Sequence, residues 1–141
     1  MPGKSYPYPG DGASQAALAR WMGAAAAAAG LPPELPVMAS LAESGLTNVA
    51  AGDSDKMGFF QIPTRIWNQG DYAGYPDKPE LQLKWFVDQA LAVGRNRAAA
   101  GIDAKDASTW GAWIADVERP VPQYRGRYQV RLSEARNLLS G

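Results

Sequence analysis

Apolar residues recur at steps of three and four positions through most of this chain, which is the spacing of one face of an α-helix. The pattern predicts helices over 15–29, 33–44, 80–99, 109–118 and 122–139, together with a short helix that opens at Pro63. The last long helix shows the stripe clearly, at Tyr128, Leu132, Ala135 and Leu139. The segment FFQI, 59–62, is too short to assign to a strand or a turn. The chain is therefore predicted to be mainly α, with little or no β structure.

Residues that favour helix ends and turns separate the predicted helices. Ser14 can cap the first helix through its hydroxyl. Polar sequence rich in glycine and proline marks two loops, at 46–58 and 70–79. No internal repeat and no linker divides the chain. We therefore predict an irregular arm over 1–13, followed by one helical domain over 14–141.

Composition limits the chemistry that the chain can perform. Its 141 residues are 46% hydrophobic and 20% charged, with 14 acidic and 14 basic side chains and a net charge of zero. The lack of a basic surplus argues against a nucleic-acid partner. The chain has no Cys and no His, which excludes thiol nucleophiles, histidine triads and zinc–thiolate sites. General acid–base chemistry must therefore use Asp, Glu, Lys or Tyr.

One alanine-rich segment, 16–30, raises the question of membrane insertion or export. It contains Arg20 and follows a start rich in proline and glycine, and alanine drives insertion only weakly. We interpret it as a helix whose small side chains allow a neighbouring element to approach closely. We expect no membrane insertion and no signal peptide in this chain.

Glu43 is the first candidate for chemistry, because it stands near the end of the apolar run MASLAESGL, 38–46. The negative end of the helix dipole and burial near Leu41 would both raise the pKa of its carboxyl group. A raised pKa suits a general acid that works near neutral pH. Taken alone, however, the pattern fits a surface glutamate at a helix end somewhat better.

The segment GFFQ, 58–61, changes this interpretation. Gly58 allows close backbone approach, and Gln61 offers donors and acceptors to hydroxyl and N-acetyl groups. The Glu-Ser pair at 43–44 followed by GFFQ resembles the lysozyme-like superfamily of soluble lytic transglycosylases and goose-type lysozymes. Those proteins carry a Glu-Ser pair and then a Gly-Leu-Met-Gln-like motif at similar spacing. The apolar helix before the acid and the late segment RYQVRL are also similar, and the resemblance covers about residues 14–140.

The resemblance implies a lytic transglycosylase that cleaves the β-1,4 bond between N-acetylmuramic acid and N-acetylglucosamine in peptidoglycan glycan strands. Glu43 would protonate the bridging oxygen and then accept the proton of the C6 hydroxyl, which gives a 1,6-anhydro product. Ser44 would support the acid or contact substrate. The substrate cleft would be lined by Gly58, Phe59, Phe60 and Gln61.

One family motif is altered in this chain. Family members carry an Ala-Tyr-Asn-Ala-Gly-like motif in their later helical half, and the nearest segment here is ADVERP, 115–120. In that register Val117 replaces the tyrosine and Glu118 replaces the asparagine. Because the family's tyrosine helps to position the catalytic acid, Tyr124 and Tyr128 are the candidates to replace it. We expect both tyrosines and Glu118 to lie near the substrate.

A lysozyme-type hydrolase is the first alternative, since inverting hydrolysis uses a second carboxylate to activate water. The candidates for this second carboxylate are Asp53, Asp55 and Glu118. Aspartates in loops more often make turns and caps. The run DSDKMG around the two aspartates does not complete a calcium loop, and we predict no metal and no cofactor.

Aromatic and basic residues add weaker expectations. Tyr72 and Tyr75 are expected to contact sugar, because the loop 70–79 is too polar and rich in turns to be buried whole. Trp67, Trp110 and Trp113 could also stack on pyranose faces, although core packing is favoured for any single one of them. Trp21 and Trp85 lie in helical apolar stripes and are expected in the core. The arginines near the C-terminus are interpreted as a solvated basic face; they are Arg119, Arg125, Arg127, Arg131 and Arg136.

The second alternative comes from a different class of protein. A non-catalytic wall-binding domain of a phage tail or injection apparatus fits the same fold, and the altered segment ADVERP motivates it. Under the leading hypothesis the protein is a monomer that acts on glycan strands at the bacterial cell wall. It would be periplasmic, extracellular or delivered by a virion, with membership of a larger phage or secretion assembly left open.

Overall fold

The helices begin and end close to where the apolar pattern places them. The computed structural model describes residues 7–49 and 55–141. Its α-helices are α1 (Gln15–Ala28), α2 (Glu34–Ser44), α3 (Thr64–Trp67), α4 (Pro79–Ala99), α5 (Trp110–Glu118) and α6 (Leu132–Ser140). The strands β1 (Lys56–Met57) and β2 (Ile62–Pro63) form a short antiparallel hairpin. The prediction of a mainly α single domain with little β structure is confirmed.

The long helix predicted over 122–139 is wrong in its first half. Pro122–Arg127 and Gln129–Arg131 form 3₁₀ turns, and α6 begins only after them. Pro122 and Gly126 in this stretch disfavour a continuous α-helix. The tighter path of the backbone leaves Tyr128 fully buried, so that its side chain belongs to the interior of the domain.

Helix α2 lies at the centre of the core. Residues 35–41 are all buried, and the helix contacts α1, α5 and α6. Ser40 is buried without cost because its hydroxyl donates to the carbonyl of Phe59 at 3.0 Å. Ser44, one turn later, donates to the same carbonyl at 2.8 Å. These bonds fix the C-terminal end of α2, which carries Glu43, against the hairpin.

The hairpin turn requires a glycine at its first position. Gly58 has a φ of +85°, and a Cβ added there would lie 2.1 Å from Oε1 of Gln82. That oxygen accepts a hydrogen bond from the N–H of Phe59 at 2.9 Å. The side-chain nitrogen of Gln82 donates to Asn48 Oδ1 and to the carbonyl of Tyr75, both at 3.2 Å. One buried amide on α4 therefore joins the hairpin to two loops.

Small side chains on α1 allow its neighbours to approach closely, as the alanine-rich sequence predicts. A Cβ added at Gly23 would lie 2.8 Å from Cδ2 of Leu139 and 3.3 Å from Cβ of Pro33. Tyr8, in the described part of the arm, packs edge-on against Trp21 with ring centroids 4.8 Å apart. Across residues 7–49 and 55–141, no helix combines the length and the apolar character needed to cross a membrane. α1 is thus a closely packed element of the helical domain.

Candidate active site

Glu43 lies in the last turn of α2, and two residues from far along the chain hold its carboxylate. Tyr128 donates its hydroxyl to Oε2 at 2.5 Å. Arg127 donates from Nη2 to Oε1 at 2.8 Å and forms an ion pair with the carboxylate. Only 9% of the Glu43 side chain is exposed, so water competes little with these bonds. Each oxygen of the carboxylate therefore accepts a hydrogen bond from the segment before α6.

Tyr128 acts in this site as a hydrogen-bond donor. Its side chain is fully buried. Burial, and after it the hydrogen bond to Glu43, raise the pKa of the Tyr128 phenol above its ordinary value. The hydroxyl therefore keeps its proton throughout the neutral range. That proton is directed at Glu43, which fixes the orientation of the carboxylate.

The structure separates the two tyrosines that are candidates to replace the family tyrosine. Tyr128 contacts Glu43 directly, whereas Tyr124 is 50% exposed. The ring of Tyr124 lies 5.5 Å from the guanidinium of Arg127, and no hydrogen bond joins it to Glu43 in the described structure. Val117 is buried in the core. Tyr128 is therefore the tyrosine placed to position the acid, and Tyr124 stands at the surface beside the site.

Glu118, the last residue of α5, lies close enough to Glu43 to interact with it electrostatically. Its Oε2 is buried and has no hydrogen-bond partner among the described residues. Burial, and after it the negative charge of Glu43, raise the pKa of the Glu118 carboxyl well above its ordinary value. The positive charges of Arg127 and Lys56 act in the opposite direction but are the smaller effect. The environment of Glu118 therefore favours its protonated form.

Glu118 also lines a cavity of about 230 Å³. Amide, charged and aromatic side chains form the walls of this cavity, among them Lys56, Gln61, Trp67, Trp85 and Gln89. Flat apolar faces combined with a few hydrogen-bonding groups suit a sugar ring that carries hydroxyl and amide substituents. Glu118 thus connects Glu43, with which it interacts electrostatically, to a candidate binding cavity.

A larger and more open cavity, of about 560 Å³, lies beside α1 and the described part of the arm. Pro9, Trp21 and Leu139 contribute to its walls. Arg20 is the single ionisable side chain among the described residues that line it. Because no carboxylate reaches this cavity, it offers no acid–base chemistry. The smaller cavity at Glu118 is therefore the better candidate for the active site.

Of three motif residues near Glu43, Gln61 lines the cavity, whereas Ser44 and Gly58 support the backbone. Gln61 lines the cavity, and its side-chain nitrogen donates to the carbonyl of Gly58 at 3.0 Å. Its φ of +51° is uncommon for a residue with a side chain. Ser44 bonds the Phe59 carbonyl and accepts the N–H of Thr47 at 3.2 Å, so its hydroxyl holds the end of α2 in place. Gly58 serves to make room for Gln82.

The structure corrects the expectation that Phe59, Phe60 and Tyr75 contact substrate. All three side chains are buried in the core. Phe60 stacks on Phe86 with ring centroids 4.8 Å apart. Tyr75 donates its hydroxyl to the carbonyl of Ile62 at 2.5 Å, which satisfies the polar end of an otherwise apolar side chain. That bond explains how a polar loop can bury a tyrosine.

Tyr72 and Asp55 have structural contacts of their own. Tyr72 is partly buried and donates to Asp88 Oδ2 at 2.7 Å, while its ring packs edge-on against Trp67, a cavity residue. Asp55 is exposed, and its Oδ2 accepts a backbone N–H at the start of α3 at 3.4 Å. This contact is the capping role that is common for loop aspartates. Asp53 lies outside the described residues.

Arg127 is a functional candidate that the sequence pattern does not single out. It belongs to the run of arginines interpreted as a solvated face, yet its guanidinium is bonded to Glu43. The available signal is its position directly before Tyr128, since two adjacent residues in a 3₁₀ turn can both reach one carboxylate. Trp110 and Trp113 are buried, which confirms core packing for these two tryptophans.

Comparison with known proteins gives no relative for this chain. No protein-family model matches it, and no match was found among curated proteins or among solved structures. Within the described ranges, no group of acidic side chains is arranged to hold a metal ion. The candidate site therefore rests on its own geometry, and the residues available for chemistry are the two glutamates with their neighbours.

Proposed function

We propose that the protein is a glycosidase that cleaves peptidoglycan glycan strands at the bond between N-acetylmuramic acid and N-acetylglucosamine. One observation carries the proposal: two carboxyl groups, Glu43 and Glu118, interact electrostatically but lie in opposite environments. Most glycosidases cleave the bond with two carboxyl groups, one that donates a proton and one that is negatively charged. Glu43 and Glu118 can supply these two functions.

The surroundings of the pair support a carbohydrate substrate. The cavity at Glu118 places the partly buried Trp67 ring near the Gln61 amide and Glu118 itself. Aromatic faces can stack on pyranose rings, and amides can bond hydroxyl and N-acetyl groups. The Glu-Ser and GFFQ segments direct the proposal to peptidoglycan in particular, through the family that they resemble.

Two routes of cleavage are candidates. The lytic transglycosylase route comes first, because the spacing between Glu43 and Gln61 resembles that of transglycosylases. Hydrolysis comes second, and the position of Glu118 favours it. From sequence, no single second acid stands out, whereas in the structure Glu118 is the carboxyl that interacts with Glu43 and lines the cavity. Either route keeps Glu43 essential.

Digestion of purified sacculi, followed by mass spectrometry of the soluble fragments, tests the proposal. Fragments with 1,6-anhydro-muramyl ends would support the transglycosylase route, and reducing muramic acid ends would support hydrolysis. Glu43→Gln should abolish release of both kinds of fragment. Glu80→Gln, the same change at an exposed position on α4, should release fragments as the wild type does.

A failure to release fragments would overturn the glycosidase proposal. If the wild type and Glu43→Gln both sediment with sacculi and neither releases sugar, the protein is a wall-binding module of the kind used by phage tails or injection machines. If Glu43→Gln clears sacculi as fast as the wild type, Glu43 is not a catalytic residue.

A further inference from the structure

The Glu43–Glu118 pair has one member suited to a charge and one suited to a proton. Glu43 receives hydrogen bonds from Arg127 and Tyr128, whereas Oε2 of Glu118 is buried without a partner in the described chain. We infer that Glu118 donates the proton to the glycosidic oxygen and that Glu43 acts as its negatively charged partner. This inference rests on the proposed glycosidase function, and it reverses the role that the family resemblance implies for Glu43.

The contacts decide which carboxyl holds the proton. Protonation of Glu43 would weaken two charge-assisted bonds, at 2.8 Å from Arg127 and 2.5 Å from Tyr128. Ionisation of Glu118 would instead place charge on a buried oxygen that no donor reaches in the described structure. A single proton carried by the pair therefore resides on Glu118 in the free protein.

The charged groups around Glu118 agree with this assignment. Glu43 on α2 favours the protonated form, while Lys56 on β1 and Arg127 in the 3₁₀ segment oppose it. Arg127 is already ion-paired with Glu43, so much of its charge is compensated. Asp116, on the same helix as Glu118, is bonded to two arginines. Burial and the Glu43 charge remain the larger effects, and they keep the proton on Glu118.

Of the two paired glutamates, Glu118 is the one that lines the cavity, and Asp116 of the same helix also lines it. Glu118 lines the cavity together with Gln61 and Trp85, whereas Glu43 is not among the residues that line it. A sugar bound in the cavity would therefore contact the Glu118 side chain. Glu43 interacts electrostatically with Glu118 and is held by Arg127, so we place it as the group that receives a proton later in the reaction.

The step balances with one proton on the pair. The proton of Glu118 moves to the bridging oxygen, and the bond from that oxygen to C1 of the muramic sugar breaks with its electron pair going to oxygen. The departing N-acetylglucosamine thereby gains a hydroxyl group. The C6 hydroxyl or a water then attacks C1, and the proton of the attacking group passes to Glu43. Transfer of this proton from Glu43 to Glu118 restores the starting state.

Two substrates distinguish the proton donor from its partner. Cleavage of sacculi requires protonation of the leaving oxygen. The second substrate is a dinitrophenyl glycoside of the N-acetylglucosaminyl–N-acetylmuramic acid disaccharide. Its dinitrophenolate leaving group departs without being protonated. Glu118→Gln should lose at least about 100-fold in rate on sacculi but stay within about 10-fold of wild type on the dinitrophenyl glycoside. Glu43→Gln should lose activity on both substrates.

The opposite pattern would overturn the inference. If Glu43→Gln keeps its activity on the dinitrophenyl glycoside and Glu118→Gln loses it, Glu43 is the proton donor. Equal losses on both substrates for Glu118→Gln would likewise exclude a proton-donor role. If the wild type cleaves neither substrate, the proposed function fails and the catalytic role of Glu118 fails with it.

The position of the proton can be measured without any activity. The chain has five glutamates, so carbon-13 labelling of their carboxyl groups gives a spectrum that single Glu→Gln variants can assign. At pH 7 the Glu118 signal should have the shift of a protonated carboxyl. A Glu118 signal in the carboxylate position at pH 7 would overturn the inference even in an active enzyme. The exposed Glu80 serves as the reference signal.

Discussion

The hydroxyl of Tyr128 lies 2.5 Å from Oε2 of Glu43, across 85 positions of sequence. This bond joins the end of α2 to the irregular segment before α6. It places a buried donor on one oxygen of the carboxylate, while Arg127 occupies the other oxygen at 2.8 Å. The orientation of Glu43 is therefore set by residues outside the motif that identifies it, and this dependence can be tested.

Removal of the Tyr128 hydroxyl should reduce activity through loss of positioning. Tyr128→Phe keeps the buried ring and deletes the bond to Glu43, so we expect a fall in kcat of about 10- to 100-fold on sacculi. The free energy of unfolding should fall by about 2 kcal/mol, since the lost bond joins a buried donor to a charged group. Steady-state kinetics and urea denaturation measure the two effects. Tyr124→Phe, which removes an exposed hydroxyl nearby, is the matched control and should change neither quantity.

Removal of the Arg127 charge should raise the pKa of Glu118 further. Burial and the Glu43 charge raise the pKa of Glu118, whereas the positive charge of Arg127 lowers it. Arg127→Gln removes one of the two charges that lower this pKa and leaves Lys56 as the other. The carbon-13 titration of Glu118 should shift to higher pH, and the alkaline limb of the pH–rate profile should shift with it. Arg125→Gln changes a neighbouring arginine that pairs with Asp116 instead. A Glu118 titration that moves equally in both variants would contradict a specific effect of Arg127.

Glu118 should make the protein less stable as the pH rises. Its pKa is raised in the folded state, so folded protein binds more protons than unfolded protein between the ordinary value of 4.5 and the raised value. The protonated Glu118 carboxyl makes its full contribution to the free energy of unfolding below pH 4.5. That contribution decreases as the pH rises from 4.5 to the raised pKa of the folded state. The loss amounts to at most about 1.4 kcal/mol for each pH unit within the window.

Denaturation by urea across this pH range isolates the contribution of Glu118. The difference in unfolding free energy between Glu118→Gln and wild type should grow with pH, so that the variant is the more stable protein near neutrality. Glu80→Gln should show a constant difference from wild type. A flat difference for Glu118→Gln would mean that the folded and unfolded states bind the Glu118 proton equally well.

Gly58 should tolerate no side chain, because two separate effects oppose it. Gly58→Ala would strain a backbone with φ of +85° and would place a Cβ 2.1 Å from Gln82 Oε1. We expect a loss of more than about 1 kcal/mol in unfolding free energy, measured by thermal or urea denaturation. Gly70→Ala is the matched control, since Gly70 has φ of +60° but open space around its Cα. A similar loss in both variants would show that backbone strain alone accounts for the effect.

Helix periodicity predicts the framework of this protein well, since α1, α2, α4 and α5 begin and end within one residue of the predicted bounds. It fails over 122–131, where Pro122 and the packing of Tyr128 decide the backbone path. The segment FFQI is too short for its pattern to show which side chains are buried. In the structure Phe59 packs near Trp21 of α1 and Phe60 stacks on Phe86 of α4.

The site was predictable only in part. Glu43 and Gln61 follow from a local motif, since short spacing in sequence is visible without a structure. The partners of Glu43 follow from tertiary contacts that span 84 and 85 positions. The surroundings of Glu118 likewise depend on burial against other elements, and for that reason the pattern offered three candidate carboxylates. Of the two that the structure describes, Asp55 and Glu118, Glu118 is the one that interacts with Glu43.

Arg127 and Tyr128 are consecutive residues, so the two bonds that orient Glu43 come from one short piece of backbone. A local opening of that piece would release both oxygens of the carboxylate together. The fraction of molecules in which the Glu43 carboxylate is held in place is then governed by one opening equilibrium. The free energy of that opening can be well below the free energy of global unfolding. Amide hydrogen exchange at 127 and 128 would report that equilibrium directly. Heat inactivation should accordingly precede loss of the helical circular dichroism signal, because the centre can come apart while the helices stay folded.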